Sequence, residues 1–244
     1  MSTPTTRPEV AVVSGGTISS QHQLPNGPKV GFLDADYFRG LSAPMRARLE
    51  HVGVPNMRSV AELRLSTEGM TEGELESAFD YHDMSVEHGA PLDVVWTAYT
   101  STDPRAGWDG DGIAYAFAYS RATKALYLRA SDGVPPQQEG TGFYLDLKVF
   151  GLFEMAVGVE ISRVDALAKV IEFTYLAGGN TRGRQRMSFR EVGGETVIRH
   201  ETWFRCEGRI RGWLYPAGHA RTVAAFHGNV ARAGGLGLGS KARG

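Results

Sequence analysis

Residues 170–204, VIEFTYLAGGNTRGRQRMSFREVGGETVIRHETWF, constrain the fold more than any other stretch. Apolar and polar residues alternate through three runs, separated by Ala177-Gly178-Gly179-Asn180 and by Gly193-Gly194. Alternation with a period of two marks half-buried strands, because successive side chains point to opposite faces. The glycines supply the backbone conformations that tight turns require. The stretch therefore predicts a three-stranded antiparallel meander, and the other segments must be compatible with it.

Upstream, the same alternation recurs. Residues 81–88 place His82, Met84, Val86 and His88 on one face. Residues 113–119 place Ile113, Tyr115, Phe117 and Tyr119 together, and strands follow over 124–130, 143–149 and 153–161. Residues 91–100 open with Pro91 and carry Leu92, Val95, Trp96 and Tyr99 at helical spacing. Pro44 is placed to begin a helix bearing Met45 and Leu49, residues 60–65 alternate as a further strand, and Thr71-x-x-Glu74 has the form of a capping box. Over 210–230 the period becomes helical, with Tyr215, His219, Val223, Phe226 and Val230 on one stripe and Pro216 in the first turn or at a kink. Residues 1–8 and 234–244 read as flexible ends.

Residues 85–100, SVEHGAPLDVVWTAYT, resemble the opening of START/SRPBCC domains, with Ala90-Pro91 closing a strand and Val95-Trp96 on the following helix. Residues 173–230 resemble the polyketide cyclase/lipid-transport branch, so the resemblance spans 81–230. It implies an α+β helix-grip fold: a curved antiparallel sheet wrapped around a long C-terminal helix. Residues 1–80 are then an N-terminal extension packed on the main domain, 81–233 the ligand-binding domain, and 234–244 a tail. The resemblance also implies an internal cavity for a hydrophobic or aromatic small molecule. It carries no catalytic motif.

Composition limits the alternatives. A formal net charge of −1 argues against nucleic acid as a partner. The single cysteine, Cys206, excludes an intrachain disulfide and a cysteine zinc site. Neither a signal core nor an apolar run of membrane-spanning length is present, so the expected location is cytoplasmic. The run 9–16, EVAVVSGG, lacks dinucleotide-binding spacing; His200-Glu201 has Phe204 where a zincin needs histidine; Ser14 and Ser188 lack a nucleophile elbow. Neither a cofactor nor a metal is expected, and His82 and His88 lie too far apart on one strand, ~20 Å, to share an ion.

Facing supplies the candidate site. Arg199 and Glu201 belong in water, which turns His200 and Thr202 inward; the same logic turns Gln185, Met187, Phe173 and Tyr175 inward and puts Glu172, Trp203 and the arginines of 182–190 on a solvated face. His200 and Tyr175 are the expected catalytic pair, as general acid/base and oxyanion donor. Gln185, Trp96, Tyr115, Phe117, Phe173, Met187, Thr202 and Phe226 are the expected ligand lining. Two functions follow: a cyclase/aromatase-type enzyme of polyketide-like small-metabolite biosynthesis, or a non-catalytic carrier or sensor of an apolar ligand. A lone inward histidine is, as a rule, a satisfied core residue, so convergence of several polar groups on one point is what separates the two.

Overall fold

The computed structural model describes residues 29–30, 35–53, 63–101, 103–128, 132–151 and 153–237. The expectations for 1–8, 9–16 and 238–244 lie outside these residues, as do 60–62 of the anticipated strand at 60–65. Of that strand, Leu65 forms a single bridge to Leu176.

Strands β1 (Lys29–Val30), β2 (Asp80–His88), β3 (Ile113–Ser120), β4 (Ala125–Tyr127), β5 (Thr141–Val149), β6 (Phe153–Asp165), β7 (Val170–Tyr175), β8 (Thr181–Val192) and β9 (Glu195–Cys206) make one sheet. Its order is β1-β4-β3-β5-β6-β7-β8-β9-β2, with every neighbouring pair antiparallel. The predicted meander is β7-β8-β9, and β2 closes its far edge by pairing with β9. The helices are α1 (Ala35–Gly40), α2 (Ala43–His51), α3 (Glu72–Ala78), α4 (Leu92–Ser101), α5 (Pro104–Trp108) and α6 (Arg209–Ala233). Ser42 caps α2 and Pro44 occupies its first turn, while Thr71 and Glu74 form both arms of the capping box on α3. Pro216 lies inside α6 and not in its first turn.

Helix α6 touches β2 and β9 at one end of the sheet and β3 and β5 towards the other. A flat sheet cannot present both ends to one helix, so the sheet curves around α6. The concave core joins Trp96 and Tyr99 of α4, Trp108 of α5 and Phe226 of α6 to inward side chains of β5–β9, Phe173, Met187 and Phe189 among them. Phe226 stacks on Trp108 at 4.2 Å between centroids.

A second core lies on the convex face. Met45 and Leu49 of α2 pack there with Phe117, Tyr119, Tyr144 and Leu176. A register shift between Tyr115 and Phe117 breaks the alternation of β3. The expectation that Phe117 shares the face of Tyr115 is thereby corrected: Tyr115 packs on the concave core, and Phe117 turns outward to stack on Tyr144 at 4.6 Å.

The outer face of β7–β9 also differs from expectation. Glu172 is only 5% exposed and bonds to Arg186 at 2.8 Å, with Arg163 and Arg184 also near it. Trp203 is on the predicted face but buried, covered by Arg186 and Tyr81. Charge pairing lets this face bury area that alternation alone assigns to water.

Candidate functional site: a buried histidine–tyrosine chain

Beside the apolar core, the interior between α6 and β7–β9 has a polar part, and it is built from register. Gln185 pairs with Thr202, and Thr202 pairs with His82, so one inward row crosses β8, β9 and β2. The next row is Met187, His200 and Met84. Cross-strand neighbours in such rows stand ~5 Å apart, and diagonal ones remain within reach of long side chains. Above them α6 presents Tyr215, His219, Val223 and His227, each four residues from the last and therefore on one stripe.

These rows close into a continuous chain of hydrogen bonds. His88 Nε2 meets Tyr99 Oη at 3.1 Å, and Tyr99 Oη meets His227 Nδ1 at 2.7 Å. His227 Nε2 lies 3.2 Å from His200 Nδ1, and His200 Nε2 lies 2.9 Å from Gln185 Oε1. His219 Nε2 reaches the same oxygen at 3.3 Å. Gln185 Nε2 donates to Tyr175 Oη at 2.8 Å, and Tyr175 meets Tyr215 Oη at 2.6 Å.

Burial sets the protonation. Desolvation, and after it the neighbouring imidazoles His227 and His82, holds His200 well below the usual histidine range. His219 is lowered in the same way, by burial first and then by His200 and His82. Its residue surface is half-buried, but Nδ1 is enclosed, and the ring's enclosure governs the shift. His227 is lowered to about 3, by burial first and then by His88. Burial raises Tyr99, Tyr175 and Tyr215, so all three keep their protons.

Neutral rings make the bonds directional. An amide oxygen facing both His200 and His219 requires Nε2–H on each. His200 Nδ1 then accepts from His227 Nε2–H, and His227 Nδ1 accepts from Tyr99. Tyr99 accepts from His88, so one polarity runs from β2 to Gln185. From there the amide N–H continues it into Tyr175 and Tyr215.

Of the expected site residues, His200, Tyr175 and Gln185 are joined in this chain, and Thr202 lies in the same row, fully buried. Phe173, Met187, Phe226 and Trp96 belong to the adjoining apolar core. Tyr115 borders that core and donates to the Tyr127 carbonyl at 2.6 Å. Phe117 lies on the other side of the sheet. Sequence reasoning did not select Tyr99, His219, His227 or Tyr215 for the site. The four-residue series 215, 219, 223, 227 was the signal for three of them. Among the described residues, no group of three or more His, Cys, Asp or Glu is arranged to hold a metal, and no helix is long and apolar enough to cross a membrane.

No protein-family model matches the chain, and no curated protein does. Among solved structures, norcoclaurine synthase from Thalictrum flavum is similar at 14% identity and TM-score 0.47, over 64% of this chain and 93% of that one. A START superfamily protein from Mycobacterium smegmatis is similar at 15% identity and TM-score 0.43, over 63% and 96%. CalU16 from Micromonospora echinospora follows at 16% identity and TM-score 0.38, over 62% and 76%. The architecture itself decides the fold: a strand paired with the last one, a short helical connection, a curved antiparallel run, and a C-terminal helix in its grip. The fold is a helix-grip fold. In this helix-grip domain, the interior facing the last helix carries the polar chain, and the convex face carries the N-terminal helices.

Proposed function

We propose that the protein binds a hydrophobic or aromatic small molecule between the sheet and α6. We further propose that it acts on this molecule by general acid–base chemistry, as a cyclase/aromatase-type enzyme of polyketide-like small-metabolite biosynthesis. The observation that carries this reading is convergence: His200, His219 and Tyr175 all bond to the one side chain of Gln185. In this reading His200 Nδ1 exchanges its bond from His227 for a substrate proton, and Tyr175 turns its O–H from Tyr215 to an oxyanion as it develops. Phe173, Met187 and Phe226 of the adjoining apolar core keep the local dielectric low. The reading takes the protein as cytoplasmic, with no cofactor, metal or nucleic acid.

A second reading, a non-catalytic carrier or sensor, is favoured by one observation: each end of the Gln185 amide is already satisfied by protein groups. Native mass spectrometry of the purified protein, followed by assay of His200→Ala and Tyr175→Phe on the captured metabolite, separates the two. The enzyme reading expects conversion of that metabolite to a product of different mass or retention, slowed ~10²–10⁴-fold in the variants. Retention of an unchanged metabolite, with only its affinity altered by the variants, establishes the carrier.

A further inference from the structure

One corner of the interior has polar atoms that the chain does not use. Thr202 is fully buried, and its Oγ1 has no hydrogen-bond partner. The same holds for His219 Nδ1 and His82 Nε2, both enclosed. The three belong together. Thr202 and His82 are direct cross-strand partners on β9 and β2. The rings of His82 and His219 meet edge to face at 5.8 Å between centroids. Buried polar atoms are nearly always satisfied, so three orphans in one place call for an occupant that hydrogen-bonds.

The chemistry of that occupant follows from the groups around it. His219 gives its Nε2–H to Gln185, so a neutral ring offers a lone pair at Nδ1 and needs a donor. The Thr202 hydroxyl can both give and receive. A carbonyl brings no proton for Nδ1. A carboxylate or phosphate would need a cation, and Arg199, next in β9, faces outward and pairs with Asp83. An ammonium would need an acid, and the neighbouring Glu201 also faces outward, against Tyr81 and Arg199. No metal-holding group is present among the described residues. A neutral hydroxyl satisfies every condition.

We propose that His219, Thr202 and His82 form a subsite for a hydroxyl of the ligand, a phenol or an enol, which donates to His219 Nδ1 and accepts from Thr202. The inference rests on the ligand-binding reading above and narrows it to hydroxylated aromatic or enolic compounds. It also aims the ligand's hydroxyl proton at His219, whose other nitrogen is tied through Gln185 to His200 and Tyr175.

The test uses two probes of similar shape, 2-naphthol and 2-methylnaphthalene, titrated into the full-length protein with tryptophan fluorescence as the readout. Wild type should bind 2-naphthol about tenfold more tightly, the worth of one hydrogen-bonded group. Thr202→Val, nearly isosteric, removes one of the two bonds and should reduce that preference several-fold. Equal binding of the two probes by wild type overturns the hydroxyl subsite, with water only in that corner, and leaves the ligand-binding reading standing. A preference undiminished in Thr202→Val also overturns it. Failure of both probes to bind overturns the ligand-binding reading and the subsite together. Nitrogen-15 spectra of histidine-labelled wild type need no variant: 2-naphthol should shift His219 Nδ1, and an unmoved resonance at saturation counts against the subsite.

Discussion

At the scale of single residues, four buried imidazoles are held neutral by their surroundings, and stability should record it. An unfolded histidine takes up its proton near ~6.5, whereas folded His227 does so only at about 3. Between these values the unfolded state holds more protons, so stability is full at neutral pH and is lost as pH falls through that window. His88, His200 and His219 are lowered too and act with the same sign. The urea midpoint should therefore fall between pH ~7.5 and ~5.5, before carboxylates titrate, and fall less in His227→Gln. An unchanged midpoint across that range would show that the rings are not buried as neutral species. Tyr99→Phe probes the chain itself. It leaves His227 Nδ1 without its donor in a dry site, at a cost of about 1–3 kcal/mol. The substitution should also release the His227 tautomer, visible as altered imidazole nitrogen shifts; spectra identical to wild type would mean that Tyr99 does not orient the ring.

At the scale of elements, α6 is gripped through Phe226 and Val230. Phe226 is 6% exposed, stacks on Trp108 and meets Tyr99 edge-on. Phe226→Ala should destabilise the protein by about 3–5 kcal/mol, seen as a lower denaturation midpoint. A midpoint equal to that of wild type would place the stripe outside the core. The β8–β9 pair carries a second test. At Gly183, with φ +146°, an added Cβ would fall 1.9 Å from the Trp203 carbonyl oxygen. Gly183→Ala should therefore weaken this pair, which positions Gln185 against Thr202. Measured thermal stability should drop, whereas an ordinary alternating strand position would tolerate alanine.

At the scale of the whole molecule, two cores share one sheet. The convex core belongs jointly to α2 and to the back of β3–β7. It is tied by Ser42 to Asp146 at 2.6 Å, by Tyr37 to the Leu128 carbonyl at 3.0 Å and by Arg121 to the Leu63 carbonyl at 2.5 Å. Tyr119 and Arg121 both bond to buried Glu160 beneath these ties. We predict that residues 1–70 do not fold alone, because the described apolar side chains among them, Met45, Leu49 and Leu65 included, find their partners on the sheet. A cooperative unfolding transition from that fragment would contradict this. The complementary fragment should expose Phe117 and Tyr144 and bind hydrophobic dyes.

The sequence by itself determined most of the elements and most of their faces; it did not mark helix α5, and of the strand expected at 60–65 the described residues form one bridge. Period-two alternation marked the meander and the inward turn of Tyr175, Gln185, His200 and Thr202, and period 3.6 marked α6. These are local properties, written in neighbouring residues. Alternation failed at Phe117, where a bulge adds one residue; Trp203 and Glu172 keep the predicted face, but partners distant in the chain cover it. Tertiary structure alone decided what meets what. His227 and Tyr99 are separated by 128 residues, yet their bond at 2.7 Å joins β2 and α4 to the histidines of β9 and α6. Strand register and helix placement set such distances, and neither is encoded in the residues that finally touch.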